Sequence, residues 1–112
     1  MKKIEAVIRH HKLDDVRAAL VNLGVHGMTV SEVRGSGNAP GHVEVYRGQE
    51  YAVDFTPRTK VEVIVADAAC QATVQAIVTA ARTGQIGDGR VMITRLAEVV
   101  RVRTGETGDD AV

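Results

Sequence analysis

An α+β fold, two helices laid across one face of an antiparallel sheet, is predicted by the way the hydrophobic period changes along the chain. Four segments alternate apolar and polar residues with the period of a half-buried strand, at 2–9, 28–34, 59–65 and 91–100. Two stretches between them space their apolar residues by three and four, as an amphipathic helix does. Glycines punctuate the chain where those patterns stop.

In the first strand Ile4, Ala6 and Ile8 fall on one face and Lys3, Glu5, Val7 and Arg9 on the other. From Lys12 the spacing becomes helical through Leu13, Val16, Leu20 and Leu23, with Asp14 and Asp15 in the first turn, where the helix dipole favours acids. Gly24 suits a left-handed cap. Residues 28–34 form the second strand, closed by Gly35-Ser36-Gly37. In the third, Val61, Val63 and Val65 alternate with Lys60, Glu62 and Ile64. Asp67 is expected to cap a second helix carrying Val74, Ile77, Val78 and Ala81 on one side. Residues 83–90 break it with three glycines before the last strand. The order is β-α-β-β-α-β, the ferredoxin-like arrangement. Its second sheet face, with Val7 and Ile64 among charged residues, is mixed enough to suit a partly polar oligomer interface.

Composition narrows the classes. The 112 residues, 45% hydrophobic and 25% charged, fit one globular domain, 1–112. Lysine plus arginine equals aspartate plus glutamate at 14 each, so no global field draws the chain to nucleic acid or an anionic membrane. Any anion site must be local. The single cysteine, Cys70, excludes an intramolecular disulfide, the start MKKIEAVIRHH lacks a signal-peptide core, and no apolar run approaches the roughly 18 residues of a membrane helix. A cytoplasmic protein without direct membrane insertion is expected.

The stretch from Ser36 to Arg58 holds both tyrosines and the one phenylalanine, and it reads as a long connection with no convincing element of its own. Such a connection in a compact domain points to function. Thr83 to Arg90 has the glycines that let backbone amides approach an anion, with an arginine able to pair two oxygens; Gly-Asp-Gly is also an ordinary turn. Arg101 and Arg103, at alternate positions after the last strand, would share one side of an extended chain and suit a polyphosphate; without the glycine loops a solvated strand end would be the preferred reading. His10, His11, His26 and His42 lack a carboxylate or thiol at diagnostic spacing, so solvated histidines are preferred to a metal site.

These residues carry a resemblance. KLDDVRAAL, MTVSEVRG, YRGQEYAVDF, TGQIGDGR and RVRTGE, in this order and over essentially the whole length, are similar to the PII signal-transduction family of nitrogen-regulatory proteins. The resemblance implies a homotrimer with ATP or ADP in the clefts between subunits. It also implies a T-loop, about 36–58, that engages a target protein. Thr29 would receive the adenine. Gly35, Gly37, Asn38 and Arg58 would flank the nucleotide, and Gly87, Asp88, Gly89 and Arg90 of the B-loop, about 82–90, would wrap its phosphates. Arg101 and Arg103, in the C-terminal segment of about 101–112, would reach across from the adjacent subunit. Tyr51 matches a tyrosine that some members have uridylylated.

The base of the T-loop departs from the family pattern. Asn38, Ala39 and Pro40 stand where arginine, glutamine and lysine are usual. The family's glutamine helps hold the magnesium ion that joins ATP to 2-oxoglutarate, and alanine has no oxygen to offer. Pro40 also fixes φ and removes an amide donor. Each lost charge-assisted hydrogen bond is worth roughly 1.5 to 3 kcal/mol, so a weak or absent 2-oxoglutarate response is expected. The function expected is adenylate-reading regulation without catalysis. The alternatives are an ordinary 2-oxoglutarate-responsive member, a slow ATP hydrolase of the same fold, or a structural or metal-responsive trimer. The implied targets are an ammonium transporter or a nitrogen-assimilation enzyme, with a transporter of a metal ion or inorganic carbon left open by the altered loop.

Overall fold

The computed structural model describes residues 1–36, 42–46, 49–53 and 55–112. The elements run β1 (Lys2–Ile8), α1 (Leu13–Asn22), β2 (Thr29–Gly35), β3 (His42–Tyr46), β4 (Gln49–Val53), β5 (Thr56–Val65), α2 (Cys70–Ala81) and β6 (Gly89–Arg95). Short 3-10 turns lead into both helices. Four strands make one antiparallel sheet in the order β2-β5-β1-β6, while β3 and β4 pair separately. This is the predicted ferredoxin-like layout.

The alternation in β1 and β5 forms the core. Ile4, Ala6 and Ile8 meet Val61, Val63 and Val65 on the helix-facing side, where Val16 and Leu20 of α1 and Ile77 and Ala81 of α2 close over them. The two buried polar side chains of this layer are satisfied. Thr73 donates to the carbonyl of Ala69 at 2.7 Å, and Thr59 bonds the Nδ1 of His10 at 3.1 Å. The other face is mixed, as expected. Lys3 pairs with Glu5 at 2.8 Å and Lys60 with Glu62 at 3.0 Å, beside the exposed Ile64 and Met92.

Five local expectations need correction. First, the long connection carries an antiparallel ribbon, His42 pairing with Val53 and Tyr46 with Gln49. Second, β5 begins at Thr56, not Thr59, because β2 runs on beside it with Arg34 opposite Pro57 and Gly35 opposite Thr56. Pro57 is tolerated there because β1 ends opposite Thr59, leaving β5 with a single neighbour and one amide it need not donate. Third, β6 stops at Arg95, opposite Lys2 where β1 begins; past that point only the Leu96 amide reaches back, donating to the Met1 carbonyl at 3.1 Å. Fourth, Asp67 does not cap α2. Its carboxylate takes the Met1 ammonium at 2.7 Å and the Lys2 ammonium at 3.6 Å instead, and these charges hold it below the usual carboxylate range. Fifth, α1 ends at Asn22 ahead of a left-handed Gly24, so Leu23 lies outside the core and is 47% exposed.

The contrast between two leucines of this helical pattern can be measured. Leu20→Ala should cost about 2–5 kcal/mol in urea unfolding because a fully buried side chain leaves a cavity. Leu23→Ala should cost under about 1 kcal/mol. Equal losses would contradict the described packing.

Candidate functional site

The site is built at the end of the sheet where β1 finishes and β6 begins. Gly89 lies opposite Ile8, with φ of +99°, and an added Cβ would sit 1.7 Å from the carbonyl oxygen of Val7. No side chain fits against that carbonyl, so only glycine lets the loop 83–89 settle directly on β1. Gly87 shares the φ of +99°, and the space a Cβ would take there lies 3.0 Å from Nη2 of Arg58 and 3.2 Å from Nη2 of Arg9. The guanidinium groups of Arg9, the residue after β1, and Arg58 on β5 therefore converge over a bare backbone.

Asp88 braces this loop from within. Its carboxylate accepts from the Thr83 amide at 2.9 Å, the Gly84 amide at 2.8 Å, the Thr83 hydroxyl, and Nε of Arg9 at 3.1 Å. Arg9 also donates from Nη2 to the carbonyl of Ile86 at 2.8 Å. The Thr83 hydroxyl first, then the two amides and Arg9, hold the Asp88 carboxyl far below the usual carboxylate range. Arg58, by contrast, donates only to the carbonyl of Pro57, at 3.2 Å, among the described residues. The cradle carries a surplus of positive charge.

The expected site residues divide accordingly. Arg58, Gly87, Asp88, Gly89 and Arg90 gather at one end of the sheet, with Arg90 exposed and opposite Val7. Asp88 is placed as the loop's own brace. Gly35 ends β2 opposite Thr56, beside a cleft of about 560 Å³ lined by His10, Glu32, Val33, Arg34, Pro57 and Arg58. Thr29 does not join them within one chain. It opens β2, on the opposite edge of the sheet, with β5 and β1 between it and β6. Gly37, Asn38, Ala39 and Pro40 lie outside the described residues, and Tyr51 is placed only as a residue of β4 opposite Glu44.

Arg101 and Arg103 do not lie on an extended strand. Residues 99–108 fold back on themselves, with Val100 bridging Thr107, the Arg101 amide donating to the Glu106 carbonyl at 2.9 Å and the Gly105 amide to the Arg101 carbonyl at 2.8 Å. Arg101 is ion-paired to Glu106 at 3.1 Å. Arg103 sits exposed on the turn with no side-chain hydrogen bond or ion pair among the described residues. Sequence reasoning missed Arg9 and Thr83 as parts of the site. Among the described residues no cluster of three or more histidines, cysteines or acids could hold a metal, and no helix is long and apolar enough to cross a membrane.

Fold and cradle together define a small α+β protein with a glycine loop overlooked by two arginines. The family model described as Nitrogen regulatory protein P-II matches residues 1–106. Proteins of that name from Rhizobium meliloti (strain 1021), Azospirillum brasilense and Haemophilus influenzae are 54%, 52% and 50% identical to this chain over 112 residues, covering the whole of each chain. The chain belongs to the P-II nitrogen regulatory protein family.

The Asp88 brace makes a pH-dependent prediction. Because its folded-state pKa is depressed, its stabilisation is complete above the unfolded aspartate value of about 3.9 and is lost as pH falls through the lower folded value. Asp88→Asn should lower the melting temperature at neutral pH, and the gap from the parent chain should close as pH drops below that range. A gap independent of pH would assign the loss to shape rather than charge.

Proposed function

We propose that this chain is a P-II regulatory protein that reads the adenylate pool in the cytoplasm, binding ATP or ADP in the clefts of a homotrimer and passing ligand state to a target protein through its T-loop. The convergence of Arg9 and Arg58 on Gly87 carries this reading, because two guanidinium groups over unobstructed backbone suit the oxygens of a phosphate chain. The same geometry supports an assembly of more than one copy. Thr29 and the glycine loop stand on opposite sheet edges, so a nucleotide touching both must lie between two copies. Arg103, without a described partner on its exposed turn, is suited to complete a neighbour's phosphate site; Arg101 would first have to leave Glu106.

The reading favours a ligand sensor over an ATP hydrolase, since the one carboxylate in the glycine loop is already engaged by Thr83, Gly84 and Arg9 and is too weak a base to activate water. Magnesium would enter with ATP, held by phosphate oxygens and water, because the described residues at the loop offer no free carboxylate. With Ala39 supplying no side-chain oxygen, 2-oxoglutarate should add little. The ordinary 2-oxoglutarate-responsive reading keeps one point in its favour, namely that Arg9 and Arg58 could together take a carboxylate. The target is of the kind named above, a transporter or an enzyme of nitrogen assimilation.

Calorimetric titration tests both halves. Arg58→Ala should weaken ADP and ATP about tenfold or more, the loss expected of a charge-assisted hydrogen bond; unchanged affinity would move the phosphates elsewhere. In the parent chain with magnesium, ATP and 2-oxoglutarate should enhance one another less than about tenfold, and by linkage equally in both directions. The double substitution Asn38→Arg with Ala39→Gln should raise that coupling. A larger enhancement in the parent chain would make it an ordinary 2-oxoglutarate sensor.

A further inference from the structure

The segment that follows β6 closes into a turn that its own backbone can hold. The Arg101 amide donates to the Glu106 carbonyl at 2.9 Å, the Gly105 amide to the Arg101 carbonyl at 2.8 Å, and the Gly108 amide to the Val99 carbonyl at 3.2 Å. Val100 bridges Thr107, and the Thr104 hydroxyl accepts from the Glu106 amide at 3.2 Å. Laid over this frame is a side-chain pair, Nη1 of Arg101 donating to Oε1 of Glu106 at 3.1 Å. The two side chains are 37% and 44% exposed, so solvent and ligands can reach both. We propose that Glu106 regulates the adenylate site as an internal competitor for its phosphates: it occupies Arg101 in the free chain, and a nucleotide must displace it to gain that cation. The proposal rests on the adenylate-binding reading given above.

The two arginines of the turn differ in one respect. Arg103 stands exposed with no side-chain hydrogen bond or ion pair among the described residues, whereas Arg101 is already neutralised. From Glu98 to Asp110 the chain carries four acids, and Glu106 is the one that Arg101 takes. Glu98 instead accepts from the Gly108 amide at 3.3 Å. As a brace the Arg101–Glu106 pair would add little, because the backbone bonds already close the turn and an exposed ion pair contributes weakly to stability. The same weakness suits an exchange. A terminal phosphate carries more charge than a carboxylate and can accept two guanidinium donors at once, so it is able to draw Arg101 away. Binding then replaces a pair inside one chain by a pair between Arg101 and the nucleotide, and the affinity measured is the difference between the two.

Calorimetric titration of the full chain with ADP, at about 50 mM and about 500 mM salt, tests it. Glu106→Gln keeps the side chain's size and removes its charge. It should tighten ADP about two- to fivefold at the lower salt, the range of an exposed ion pair, and the gain should shrink at the higher salt as screening grows. Adding Arg101→Gln to that variant should erase the gain, because the released cation is gone. Asp109→Asn, which removes an acid of the same segment that has no ion pair among the described residues, should leave ADP affinity as it was. Unchanged or weaker binding in Glu106→Gln would overturn the proposal, since losing a mere brace cannot tighten the site. A gain that survives Arg101→Gln, or that Asp109→Asn matches, would overturn it as a general effect of removing negative charge. A gain accompanied by altered sedimentation would belong to assembly and would overturn it as well. A parent chain that ignores ADP defeats the adenylate reading itself, a result distinct from equal ADP binding by the parent chain and Glu106→Gln, which defeats only the role of Glu106.

Discussion

The contact of Gly89 with the Val7 carbonyl is the constraint on which the ligand end of this molecule depends. With 1.7 Å where a Cβ would stand, no other residue lets β6 begin opposite Ile8. Once β6 begins there, the preceding loop must lie across the end of β1, and the residue that follows Ile8 is Arg9. Its guanidinium then meets Asp88 and the Ile86 carbonyl without any long reach. β1 and the residue after it thus supply the core through Ile4, Ala6 and Ile8, the seat of the loop through Val7, and the clasp of the loop through Arg9.

Charge is economised in the same way. The chain has no net charge, so attraction for an anion has to come from local imbalance. Arg9 is largely balanced by Asp88, whereas Arg58 has a neutral carbonyl as its partner among the described residues. Rigidity comes from the first pair and attraction from the second cation, an arrangement that holds donors in place before a ligand arrives.

The core was legible because two-residue periodicity needs no knowledge of partners. Val61, Val63 and Val65 are buried as their alternation with Lys60, Glu62 and Ile64 requires. What failed depended on long-range pairing. Asp67 has an N-cap's chemistry, but an ammonium 66 residues away in sequence competes for it and wins. The lengths of β5 and β6 follow from where β1 starts and stops, which the text of β5 or β6 cannot contain. The ribbon β3–β4 shows in the sequence only through the alternation of HVEVY, since QEYAV has no such period and its pairing is again a long-range fact. At the site, the glycines and Arg58 could be anticipated from their chemistry. Arg9 could not, since its role appears only when the register sets Ile8 opposite Gly89.

The altered loop base and the retained arginines bear on the same property. Asn38, Ala39 and Pro40 place no cation at 38–40, while Arg58 sits on β5 and Arg9, directly after β1, is clasped to Asp88. Groups fixed on a strand or clasped by an ion pair hold their geometry with or without a ligand. Groups in a long connection have to be ordered, and that ordering is the means by which binding can reshape the connection. On the proposed reading, a phosphate held by Arg9 and Arg58 gains its affinity without drawing on residues 38–40. A ligand can bias the loop only through contacts that differ between loop states. In this chain no charged side chain at 38–40 supplies such contacts, so on that reading they fall to other groups.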